Sequence, residues 1–344
     1  MANALMSREF KPDHGASRVL TRVGSAARIL LSRRPLAAIL AGAAFASCAL
    51  VARAVPGLAR QPALAATHAT SPPLAGPVTV RRFTLPGPMA GVVARVDLRD
   101  PRVGVAVVMA DATAGSAEGC PSRLDVPSSV ARRNDFTVAI NGSFFTAAAK
   151  EVGGRQVPYF VGNCADPVGW HFSEGRLRTR PTQAHVQATL VVHASGALTM
   201  HPRLEQLPRD TRCAVGGNAL VVAAGRVTSR ESDRERHPRS AVGISADGGT
   251  LLLVAVDGRQ EGHSRGATLA ELGGLMKGFG AFDAINLDGG GSTAMVVKDR
   301  ASGAFAVVNR PSDLALEFPG IHVERPVVDI LGVRVREPLA SALK

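Results

Sequence analysis

Aromatic side chains are scarce in this chain, 4% of its 344 residues, with one Trp and one Tyr. Alanine, valine and leucine must therefore supply most of the core. A nucleic-acid surface of arginines interleaved with stacking rings has too little material. Cysteine is as rare: Cys48, Cys120, Cys164 and Cys213, with no C-x-x-C pair and no Cys/His cluster, which argues against structural zinc. H-E-x-x-H, G-x-S-x-G and a P-loop GK[ST] are all missing, and with them the usual signs of a zinc protease, a serine hydrolase and a P-loop nucleotide site. Grouped Asp and His residues, as two-metal phosphodiesterases use, are missing too. No metal and no cofactor is expected.

Acidic residues are outnumbered 28 to 40, for a net charge of +12. The excess is local. Residues 1–66 hold nine basic side chains (Arg8, Lys11, Arg18, Arg22, Arg28, Arg33, Arg34, Arg53, Arg60) against Glu9 and Asp13. Arginines elsewhere are scattered, so no nucleic-acid partner is expected.

What is present reads as an exported globular protein. Hydrophobic residues make up 46%, and 36 Gly and 22 Pro suggest many turns and short strands. Arg33-Arg34 precede the uncharged apolar run 36–52, in a stretch that resembles a twin-arginine export signal; "ALAAT" at 63–67 offers a small-residue cleavage site. Residues 1–66 are thus read as an export signal or a single membrane anchor through 36–52, 67–77 as a linker, 78–337 as one catalytic domain and 338–344 as a tail. The expected location is periplasmic or extracellular, or held at the inner membrane. In an oxidising compartment two of Cys120, Cys164 and Cys213 can pair, and spacing does not say which.

The domain reads as a mixed α/β, or α+β, single domain: a mixed, strand-rich central sheet with flanking helices. "VTVRRFTL", "GVVARVDL" and "VGVAVVMA" are short β-branched runs, and "FTVAI" (136–140) is a fully buried strand. Hairpins are predicted at Ser195-Gly196 and at Asp247-Gly248-Gly249. Thr268 and Glu271 form a capping box opening a helix with Leu269, Leu272, Leu275 and Met276 on one face. The strand "FDAINLD" follows, and "PVVDILGVRV" closes the domain.

The chemistry concentrates at "AINLDGGGSTAMVV" (284–297). Asp288 ends a strand; Gly289, Gly290 and Gly291 follow, then Ser292 and Thr293. Successive glycines can turn several amides to one point, and hydroxyls with free N–H groups favour an anion. The alternative is a glycine-rich turn. Asn141 ends "FTVAI" in "NGSFF", either as a sheet-edge amide in a site or as an Asn-Gly turn. Arg239 opens the strand "RSAVGIS", and Asp257 ends another in "VDGR". Glu324 and Arg325 are adjacent, so in a strand they point to opposite faces and only one should enter a site; a salt bridge explains them as well.

In their order, "VDLRDP", "AINGSFF", "AVGGNALVVAAGRV", "PRSAVGIS", "AVDGR", "GATLAELGGLM", "AINLDGGGSTAM" and "ERPVVDILGV" resemble the phosphodiester glycosidase family over roughly residues 91–335. The chain departs from the family's usual pattern with Ser143 in "NGSFF" and with Asp329 where an Asn is common. The resemblance implies hydrolysis of a sugar-1-phosphodiester to free sugar and phosphomonoester. On that basis Gly289, Gly290, Gly291, Ser292, Thr293 and Arg239 would hold the phosphate, with Asn286 and Arg325 in the same substrate-binding set. Asp288 would be nucleophile or base, Glu324 the second catalytic carboxylate, and Asn141 would hold sugar hydroxyls or phosphate. The expected partner is a sugar phosphodiester or cell-envelope glycan. Non-catalytic binding of an anionic polysaccharide and cleavage of P–O instead of C–O are the rival readings.

Overall fold

A computed structural model describes residues 76–337, except 112–119, 153, 182–185, 230–233, 316–317 and 319. The apolar run 36–52, the linker, Cys48 and the tail beyond 337 lie outside the described residues. Among the described residues, no helix is long and apolar enough to cross a membrane.

The described residues are strand-rich, 47% strand and 8% helix. It is not built on one mixed sheet. Among the described residues every strand pairing is antiparallel, and three larger sheets of seven, five and five strands replace the expected central one. Parallel strands need long crossovers, usually helical. Only two α-helices, α1 (Pro127–Arg133) and α2 (Leu269–Gly278), are described, and short turns link most strands instead.

The seven-stranded sheet runs, in spatial order, Val78–Leu85, Met89–Asp97, Thr250–Val256, Arg239–Ile244, Asp283–Asn286, Ala219–Ala223, Arg226–Val227. Its central strands Arg239–Ile244 and Thr250–Val256 are buried on both faces, which hides the usual alternation. Leu251, Leu253 and Ala255 face a central core with Val92, Ala94, Val138, Ile140, Leu190 and Leu331. Leu252, Val254 and Val256 face the other way, onto Leu272, Leu275 and Met276 of α2. The capping box forms as read: the Thr268 side chain accepts from Glu271 N, and the Glu271 carboxylate accepts from Thr268 N at 2.9 Å.

One five-stranded sheet orders Phe305–Val307, Met295–Lys298, Val138–Asn141, Asp329–Val335, Val103–Met109. Its outer face carries Phe136, Ala139 and Ile330 against Val130 and Ala131 of α1. The other orders Arg176–Thr179, His171–Ser173, Thr211–Gly217, Ala188–His193, Leu198–His201. A Cys120–Cys164 disulfide ties two neighbouring short strands, and Cys213 is a buried free thiol.

This layering positions the site. The strand Asp283–Asn286 of the large sheet and the strand Val138–Asn141 of the first five-stranded sheet both end at one place, and residues 287–294 pass from one sheet to the other.

Candidate functional site

Asp288 is the second residue beyond the buried strand Asp283–Asn286. Its backbone is held on both sides: its N–H donates to the Gly142 carbonyl at 3.0 Å, and its carbonyl accepts from Asn141 Nδ2 at 2.7 Å. Asn141 is 1% exposed, and its Oδ1 accepts from Ser240 Oγ at 2.6 Å and Ala294 N at 3.3 Å. Asn141 is thus a clamp on the Asp288 loop. Asn286, wholly buried, donates to Asn218 Oδ1 and to the Leu287 carbonyl. It clamps the strand end from the sheet's other face.

The Asp288 side chain keeps partial exposure but is otherwise surrounded by protein. Desolvation raises its pKa to about 6. The Ser292 hydroxyl, the Gly289 amide and the Arg325 charge pull the other way, and Asp329 adds to the rise. Ser292 is near enough to act on the carboxylate, yet its Oγ reaches hydrogen-bond geometry with no described residue; the same holds for Thr293 Oγ1. Both hydroxyls are buried without a hydrogen-bond partner among the described residues, and that of Ser292 lies beside the half-buried acid.

The glycines serve a different purpose from the amide cradle expected of them. Five amides of the loop already have protein acceptors: Asp288 on Gly142 O, Gly289 on Asp288 Oδ1, Gly290 on Pro238 O, Ser292 on Gly289 O and Thr293 on Gly290 O. What the missing side chains allow is close approach. A Cβ on Gly289 would meet the Pro238 carbonyl at 2.6 Å, and one on Gly291 would overlap the Arg325 guanidinium and Asp313. Over Gly290 lies the guanidinium of Arg259. Two cations therefore close on this loop, and the sequence reading had selected only one of them.

Arg325 is the expected one. Its Nε and Nη2 donate to the Asp313 carboxylate at 2.8 and 3.1 Å, and its guanidinium stacks 4.1 Å from the centre of the Tyr159 ring. Arg259 was missed. It occupies a left-handed conformation (φ 59°), uncommon for a side-chain-bearing residue, and its Nη2 lies 3.2 Å from His237 Nδ1. The available signal was "VDGR", where attention went to the aspartate. Asp257, 2% exposed, accepts from Asn309 Nδ2 and Arg310 N and lies 2.8 Å from His263 Nε2. Asn309 also donates to the Thr293 carbonyl at 3.1 Å, so Asp257 braces the far end of the loop.

Two other expected residues turn their side chains to other partners. Arg239 alternates with Ser240, so when Ser240 meets Asn141 the arginine projects to the opposite face. Its Nε donates to the Ala267 carbonyl at 3.0 Å and its Nη2 to the Glu235 carbonyl at 3.3 Å. Glu324 points away from its neighbour Arg325. It accepts from Ser128 N at the start of α1, at 2.7 Å, and lines a groove of about 520 Å³ with Asn309, Arg310 and His322; Asp288 is not among the lining residues. Among the described residues no group of three His, Cys, Asp or Glu is arranged to hold a metal.

The arrangement offers a carboxyl poised near neutrality beside buried hydroxyls and two guanidinium groups, which suits a substrate carrying a phosphoryl charge. The family model described as phosphodiester glycosidase matches residues 134–334, more than half of the chain. The chain belongs to the phosphodiester glycosidase family. The catalytic domain of zebrafish N-acetylglucosamine-1-phosphodiester alpha-N-acetylglucosaminidase, auto-inhibited by its pro-peptide, shares the fold. That match has a TM-score of 0.54 and 22% identity, over 78% of this chain and 86% of that one. A Synechocystis protein of solved structure matches with a TM-score of 0.46 and 17% identity, over 75% of this chain and 62% of that one. The SPbeta prophage-derived protein YomE of Bacillus subtilis (strain 168) is 36% identical over 98 residues, which are 28% of this chain and 13% of that relative.

Proposed function

We propose that this protein is an exported glycosidase that hydrolyses a sugar-1-phosphodiester to free sugar and phosphomonoester. The observation that carries the reading is Asp288, raised to about 6 by burial and set beside a loop on which Arg259 and Arg325 both close. Membership of the family supports the reaction class. Glycoside cleavage passes through an oxocarbenium-like transition state. A phosphate leaving group is a weak base, so stabilising its negative charge matters more than protonating it. Arg325 and Arg259 supply that charge, the Ser292 and Thr293 hydroxyls donate to the phosphoryl oxygens, and Asp288 acts in its ionised form as nucleophile or as base toward water. Asn141 and Asn286 hold the loop. Glu324 sits in the adjoining groove and is not needed at the first step. The Cys120–Cys164 disulfide fits an oxidising compartment and so an exported protein.

The test is incubation with a chromogenic sugar-1-phosphodiester in ¹⁸O-labelled water. Release of reducing sugar carrying the label is the expected result. Label in the phosphate would mean P–O cleavage, and binding without release would leave only a polysaccharide-binding protein.

A further inference from the structure

The strand Asp329–Val335 opens on a carboxylate in an otherwise apolar run, and the reaction as proposed makes no use of it. Asp329 is wholly buried. Its Oδ1 accepts from Ser143 N at 2.6 Å, and its Oδ2 lies 2.7 Å from Nδ1 of His171, which is also wholly buried. His171 Nε2 lies 3.1 Å from Ser173 Oγ. A buried charge without partners costs several kcal/mol, so an acid at this depth persists only with such contacts. Here the contacts lead to the site. Register places Ile330 opposite Asn141, so that Asp329 lies beside the Gly142–Ser143 turn, and Gly142 N donates to the Asp329 carbonyl at 3.2 Å. That same turn supplies the acceptor for Asp288 N–H, and Asn141 supplies the donor for its carbonyl.

We propose that Asp329, backed by His171 from the other five-stranded sheet, is the positioning residue of Asp288. It pins the Gly142–Ser143 peptide, which fixes the Asp288 backbone, and it sets a like charge behind the Asp288 carboxyl. The inference rests on Asp288 being the working carboxyl of the proposed reaction, but its main test needs no turnover. Asp288 is faced by Arg325, the Ser292 hydroxyl, the Gly289 amide and Asp329; Asp329 is faced by His171 and the Ser143 amide. Of these, Asp329 joins desolvation in disfavouring the ionised form of Asp288.

Asp329→Asn keeps an acceptor for Ser143 N–H and removes the charge. In ¹³C NMR titrations of the full chain, with the Asp288 carboxyl assigned through Asp288→Asn, the Asp288 midpoint should fall. The rising limb of kcat against pH should move by the same amount with KM unchanged, whereas Asp329→Ala, which also frees the turn, should lose on the order of a hundredfold in kcat. An unmoved Asp288 midpoint in Asp329→Asn overturns the proposal, whatever the activity. Should that variant not fold, His171→Asn takes its place: loosening Asp329 should lower kcat with KM unchanged, and an unchanged kcat overturns the proposal. Absence of turnover in the wild type would instead reject the reaction and leave the NMR result standing.

Discussion

Two Asp-Gly-Gly tripeptides sit in this chain, both in loops of the seven-stranded sheet. Asp247-Gly248-Gly249 turns the hairpin between Arg239–Ile244 and Thr250–Val256; Asp288-Gly289-Gly290 follows the next strand, Asp283–Asn286. At the first, the carboxylate is in solvent. Ser245 Oγ donates to it at 2.6 Å, Gly249 N at 2.9 Å and Arg99 Nη2 at 2.5 Å, and its pKa is lowered to about 2. At the second the carboxyl is half-buried, and its pKa rises to about 6. The same three residues give an inert turn and a candidate catalytic acid. The difference lies in what surrounds them: solvent relieves desolvation at Asp247, while Asp288 is boxed in by two sheets.

The largest contrast should come from removing the two acids. Asp288→Asn should reduce sugar release on the order of ten-thousandfold with an unchanged circular dichroism spectrum; Asp247→Asn should leave the rate as it was. Substantial activity in Asp288→Asn would mean that the two loops are functionally alike. Arg325→Ala comes next, with kcat/KM down about a hundredfold, the cost of losing one strong charge-stabilising donor. Arg239→Ala should leave kcat/KM nearly intact and lower the melting temperature instead, since its guanidinium serves carbonyls on the other face. The reverse ranking would move the phosphate site to Arg239. Glycine substitution gives a smaller split. Gly291→Ala must displace Arg325 and Asp313 and should lower kcat/KM by tens of fold, whereas Gly248→Ala, at φ +67° with open space around it, should cost about 1–2 kcal/mol of stability and no activity.

The two pKa shifts predict the smallest effects, and opposite ones. Asp288 is raised in the fold, so its contribution to stability is present below about 4 and is lost as the pH rises through about 6. Chemical denaturation of wild type against Asp288→Asn should therefore diverge by roughly 1–3 kcal/mol between pH 4 and pH 7, the wild type weakening. Asp247 is depressed, so its contribution is present above about 4 and is lost as the pH falls toward 2. Activity should rise through about pH 6 as Asp288 ionises. A rate that instead falls across pH 6 would make Asp288 the proton donor.

Much of the fold was legible. The hairpins at Ser195-Gly196 and Asp247-Gly249 and the capped helix at 268–278 stand where turn chemistry and spacing put them, while the strand expected at 136–140 runs Val138–Asn141, with Phe136 and Thr137 before it. The single mixed sheet was not, because strands buried on both faces lose the alternation that tells one sheet from three. At the site, Asp288 and Asn141 do meet, through the Asp288 carbonyl. The place of Arg239 at a strand start says nothing of which face its side chain takes. Asp329 carried a readable signal, a carboxylate inside "VVDILGV", which demands a buried partner somewhere. Nothing in the spacing could point to His171, 158 positions upstream.

Local chemistry was enough to put a carboxylate just past a strand end, to seat glycines after it and to open a helix with Thr268 and Glu271, because those outcomes depend on neighbours within a few bonds. The affinity of Asp288 for its proton, the two guanidinium groups over Gly290 and Gly291, and the pairing of Asp329 with His171 were settled only by folding. Desolvation and Coulomb interactions act through space, and the residues that exert them come from three sheets and from loops far apart along the chain.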